Sequence, residues 1–141
     1  MRVATFTFGL AVASAVAGPS SKAADAGRFD GLWQVLLTCP NSPDGAAAFT
    51  LDFVALVKNG LLHGEKGMAG RPGWLVLDGP IQPDGTAVLD ARGITGQAPY
   101  NIRQTGRGVP YDHVVMAHFV TDRGAGTWAT TRVCNFTFAR S

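Results

Sequence analysis

From Phe29 onward the chain is a succession of short, alternating apolar runs, each stopped by glycine, proline, asparagine or aspartate. This punctuation constrains the fold more than any other feature. The 141 residues include 18 Gly, and a glycine in a helix interior costs about 1 kcal/mol against alanine. No segment sustains a helical period, so the apolar runs read as strands. In 31–39, Trp33, Val35, Leu37 and Cys39 share one parity while Gln34 and Thr38 take the other, the period-2 pattern of a half-buried strand. In 49–57 the apolar face is Phe49, Leu51, Phe53, Ala55 and Val57. Asn59-Gly60 follows; both residues tolerate positive φ, which predicts a two-residue hairpin into a return strand over 61–65. Further strands are predicted over 74–82, 86–92, 98–105, 111–121 and 127–140, with Pro83-Asp84-Gly85 and 122–126 as turns. The expected architecture is all-β, an eight-stranded antiparallel up-and-down barrel whose closure leaves no free edge.

The first residues bear on the compartment. Met1-Arg2 precedes an uncharged run from Val3 to Ala17, and Ser21-Lys22-Ala23 and Ala24-Asp25-Ala26 each fit small-x-small cleavage. The pattern predicts a signal peptide over 1–23, processed after Ala23 or Ala26, and a single barrel domain over 24–141. A membrane anchor, the alternative, needs about 20 apolar residues. No stretch reaches that length, so no transmembrane segment is expected and the protein is expected to be exported, to the periplasm or beyond. Lys+Arg number 12 and Asp+Glu 10; removing 1–23 takes Arg2 and Lys22 and leaves the charges balanced. A neutral chain has no field for nucleic acid or anionic membrane.

In an oxidising compartment Cys39 and Cys134 most simply pair with each other. A catalytic thiol is the alternative, and no His or Asn context favours it. Closing a loop of about 100 residues is worth up to about 4.7 kcal/mol in the chain-entropy model. The pairing also tests closure. With Cys39 facing Cys134 on neighbouring antiparallel strands, Leu37 falls opposite Phe136, Val35 opposite Phe138 and Trp33 opposite Arg140. All share the inward parity, and this agreement favours a closed barrel over an open sandwich.

Gly31-Leu32-Trp33 in the first strand, with an arginine near the end of the last, resembles the signature of calycin-type barrels: lipocalins, fatty-acid-binding proteins, avidins and small periplasmic metalloprotease inhibitors. The resemblance implies that Trp33 closes one end of the barrel with a late arginine across its indole. The register assigns that role to Arg140, with Arg132 second. Phe29-Asp30-Gly31-Leu32-Trp33 and Gly124-Ala125-Gly126-Thr127-Trp128, with Cys134 after, are also similar to the start and finish of small uncharacterised exported proteins of Gram-negative bacteria. That likeness carries no activity. Trp33 and Trp128 are expected to point to opposite ends, as two plugs. Avidins also open with Gly-x-Trp but follow it with polar residues where this chain has Val35 and Cys39, so biotin is disfavoured.

Few residues offer chemistry. His113 and His118 lie five apart on one predicted strand, so they face opposite sides of the sheet and cannot share a metal without a bulge. No metal or cofactor is expected. After Ala23 the only serines are Ser42, in a turn, and Ser141, at the end, and neither has the base a nucleophile needs. Asp78 and Asp90 flank one hairpin that could bring them together, as paired acids for glycoside hydrolysis require, but they read as surface charges beside a turn. The segment 100–111 mixes Tyr100, Arg103, Arg107 and Tyr111 around glycines, a composition suited to binding. With Trp74, His63 and His113 these residues are the candidates for a ligand site at one barrel mouth. An eight-stranded interior is either packed or just wide enough for one small ligand, and the inward Trp and Phe residues favour packed.

The expected function is therefore non-catalytic binding of a small apolar molecule at one mouth. A protein-binding module such as a protease inhibitor, reaching out through Arg28 and its N-terminal neighbours, is the second reading. A structural envelope protein without ligand is the third.

Overall fold

The computed structural model describes residues 27–141; the expected signal peptide and both cleavage positions lie outside them. Alternation of side chains shapes most walls of the molecule. Strands β1 (Gly31–Cys39), β2 (Phe49–Lys58), β3 (Leu61–Lys66), β4 (Leu75–Pro80), β5 (Thr86–Ile94), β6 (Pro110–Val120), β7 (Arg123–Ala129) and β8 (Val133–Arg140) follow one another around a closed antiparallel barrel. β1 pairs with β8, and Trp33 stands opposite Arg140, Val35 opposite Phe138 and Leu37 opposite Phe136. Cys39 and Cys134 form a disulfide with Cα atoms 4.4 Å apart. Odd positions of β1 and β2 and even positions of β8 fill the interior, where Trp33, Leu37, Phe53, Phe119, Phe136 and Phe138 are buried. No helix among the described residues is long and apolar enough to cross a membrane.

Two predicted strands are corrected. Residues 98–105 form two short 3₁₀ turns, Ala98–Tyr100 and Ile102–Gln104. Pro99 cannot donate to a ladder, Arg103 and Gln104 take positive φ, and the Asn101 amide donates to the carbonyls of Gly96, Thr105 and Gly106, replacing sheet bonds with local ones. The predicted strand 127–140 is in fact the end of β7 and all of β8, separated by the turn 130–132, and β6 passes to β7 through Thr121-Asp122 alone. Gly124 and Gly126, read as turn residues, are strand residues instead. The Phe119 ring lies across Gly124, where a Cβ would stand 2.7 Å from it, so these glycines serve close approach. One strand lost and one gained keep the count at eight.

The two ends differ. At one, the connections are short: Asn59-Gly60, with φ of 52° and 76°, residues 81–85, and Thr121-Asp122. The N-terminal turn seals this end. Phe29 is buried, Trp33 Nε1 donates to its carbonyl at 2.8 Å, and Asp30 accepts from the backbone N–H groups of Asn59 and Gly60. Arg140 lies 4.6 Å over the Trp33 ring and donates to the carbonyls of Asp30, Arg28 and Thr121. Arg140, not Arg132, thus covers the indole. The other end carries the longer connections 40–48, 67–74 and 95–109 and the turn 130–132.

Candidate functional site

Between those longer connections the barrel opens into a cup of about 670 Å³. Its walls are the first inward residues of β2, Phe49 and Leu51, the first inward residues of β6, Tyr111 and His113, Trp128 of β7, and residues of the 95–109 connection. Below this level Trp33, Val35, Leu37, Phe53 and Phe138 belong to one buried hydrophobic cluster, and the cup stands above it at the open end. Trp128 stacks edge-on to Phe136 with centroids 5.5 Å apart. His113 sits 5.0 Å from Trp128 and 5.3 Å from Tyr111. Across the cup, Phe49 meets Tyr100 edge-on at 6.2 Å. Such offset and edge-on pairs are the favoured aromatic geometries.

Backbone choices hold these rings in place. Tyr111 lies directly opposite Gly93, where a Cβ would stand 2.5 Å from the Tyr111 hydroxyl and 2.2 Å from the Trp74 carbonyl. Only glycine admits the ring there. The disulfide lies beside the wall: Cys39 pairs with Phe49, and Cys134 with Trp128. Arg132, from the β7–β8 turn, lies 5.0 Å over Phe49 and donates to the carbonyls of Pro40, Ala47 and Tyr100, tying the 40–48 and 95–109 connections to that turn.

Burial pushes the Tyr111 hydroxyl up to about 12, so it stays protonated at neutral pH. Burial holds His113 below the ordinary imidazole value, which keeps it neutral there. The Arg132 guanidinium is also lowered by burial but stays charged. Asp44, outside the cup, is held below the usual carboxylate range by the Ser42 hydroxyl and the Arg103 N–H. The cup offers aromatic surface, a protonated hydroxyl, a neutral imidazole and buried positive charge.

Of the expected site residues, Tyr100, Arg103, Tyr111 and His113 meet at the cup. Trp74, Arg107 and His63 are not on its wall. Trp74 follows the lining residue Gly73 in the chain, and its Nε1 is buried and unpartnered. Arg107, on the 95–109 connection, is exposed and does not line the cup. His63, expected at the mouth, stands instead on the outer wall between Asp78 and Glu65, because Leu62 and Gly64 take the inward parity. Among the described residues, no three His, Cys, Asp or Glu side chains are placed to hold a metal. Trp128, expected as a plug, is at the end opposite Trp33 but forms part of the cup. Phe49, Leu51 and Arg132 were not expected in the site, although pairing Phe49 with Cys39 follows from the strand register.

Comparison with protein-family models, with curated proteins and with solved structures returns no match.

Proposed function

We propose that the protein is an exported, non-catalytic binding protein that takes one small apolar ligand into the cup. The observation that carries this reading is the chamber itself: about 670 Å³, walled by Phe49, Tyr100, Tyr111, His113 and Trp128, in a barrel sealed at its other end. Ligand sites are commonly apolar concavities of roughly 300–1,000 Å³ with a few placed polar groups. Removing roughly 200 Å² of ligand surface from water there contributes about 5 kcal/mol, from which association costs are subtracted. Export is supported by the N-terminal pattern and by a disulfide, which persists in oxidising compartments. The inhibitor reading needs Arg28 to reach outward, whereas Arg28 donates to the Pro83 carbonyl and accepts from Arg140. That anchoring favours the cup.

The test is titration with N-phenyl-1-naphthylamine, a neutral apolar fluorophore excited by energy transfer from tryptophan. Saturable one-to-one binding, weakened at least about fivefold in Trp128→Ala, is expected for loss of a buried aromatic contact. Non-saturable fluorescence, or saturation indifferent to Trp128→Ala, contradicts the reading.

A further inference from the structure

The ionisable lining of the cup is one-sided: Arg103, His113 and Arg132 stand in it, and no aspartate or glutamate does. Arg132 is the decisive member. It is only 8% exposed, and its three bonds to carbonyls use Nη1 twice and Nη2 once. A guanidinium has five N–H groups, so Nε–H and one Nη2–H remain. The carbonyls satisfy hydrogen bonds but supply no countercharge, and Arg132 forms no ion pair among the described residues. Asp44 acts on it only through space, its carboxylate being engaged by Ser42 and the Arg103 N–H. Trp74 Nε1 is the one sealed polar side-chain atom without a partner among the described residues, so Arg132 Nε remains accessible. A buried cation without an anion is costly, and adjacent guanidinium N–H groups match the two oxygens of a carboxylate.

We propose that the ligand is an amphipathic anion, an apolar body carrying one carboxylate that pairs with Arg132 from within the cup. This rests on the binding reading above and adds the head group to it. The aromatic walls receive the body, Arg132 receives the carboxylate, and Arg103 at the exposed margin adds a second positive charge. The absence of acids from the lining means that nothing there repels such a head group.

Displacement of bound N-phenyl-1-naphthylamine by dodecanoate and by dodecan-1-ol separates the head group from the chain. On the wild-type protein, dodecanoate is expected to displace the probe at a concentration at least about tenfold lower, in keeping with a hydrogen bond between charged partners. In Arg132→Gln the ratio between acid and alcohol is expected to fall toward one, whatever the variant does to the affinity of both. Because Arg132 also ties connections together, the wild-type comparison decides the matter if that variant fails to fold, and Arg103→Gln, at an exposed position, should reduce the preference by about two- to threefold. Equal displacement by acid and alcohol on the wild type overturns the inference and leaves the binding reading standing. Failure of the probe itself to bind saturably overturns both.

Discussion

Phe29, Asp30 and Trp33 occupy five consecutive positions with Gly31 and Leu32, and each does a separate job at the sealed end. Phe29 fills the barrel base, Asp30 holds the Asn59-Gly60 hairpin through two backbone N–H groups, and Trp33 lies under Arg140. The Trp33–Arg140 pairing was legible because parity and register both fix it. His63 faces outward because Leu62 and Gly64 take the inward parity of their strand. Gly93 was not legible at all: nothing local marks it, since the Tyr111 ring that requires it comes from the next strand. Gly93→Ala is expected to destabilise the protein by about 1–3 kcal/mol in urea unfolding and to weaken N-phenyl-1-naphthylamine binding, because the new Cβ displaces the Tyr111 ring. Wild-type stability and affinity in this variant would show that the ring does not lie there.

Among the elements, most strands and the tight turns at Asn59-Gly60 and Pro83-Asp84-Gly85 were readable, and the long 95–109 connection was not. Segment 98–105 has strand-like composition, yet Pro99 and the Asn101 amide make a compact connection that roofs the cup. The β3–β4 and β6–β7 walls bring two histidines into opposite regimes. The Asp78 hydrogen bond, then Asp78 and Glu65 charge, raise His63 above its ordinary value against the effect of its slight burial. Burial lowers His113. Their linkage to stability has opposite signs. The His63 contribution is full below the unfolded-state value of about 6.5 and is lost as pH rises through its folded value. The His113 contribution is present above about 6.5 and is lost as pH falls through its lower folded value. The two partly cancel in global stability, so the check is residue-resolved: NMR titration is expected to give His63 a midpoint above, and His113 one below, that of an unstructured histidine. The reverse order would contradict the assigned surroundings.

At the scale of the molecule, closure was legible because one disulfide and two alternation patterns demanded the same register. The cup was not, because parity says which side chains point inward but not how completely they fill the last layer beneath long connections. The same disulfide couples closure to the site, since its half-cystines pair with Phe49 and Trp128. The variant Cys39→Ala/Cys134→Ala is expected to lose about 2–5 kcal/mol in urea unfolding and to bind the probe more weakly. Unchanged stability would remove the staple from the account. The central claim is that the open end, and only that end, receives ligand, and the three tryptophans report on it directly. In ¹⁵N-labelled protein titrated with N-phenyl-1-naphthylamine, the Trp128 indole N–H signal is expected to shift strongly and saturably while that of Trp33, at the sealed end, stays in place. A shift of Trp33 with Trp128 unmoved, or shifts confined to residues of the outer wall, would contradict it.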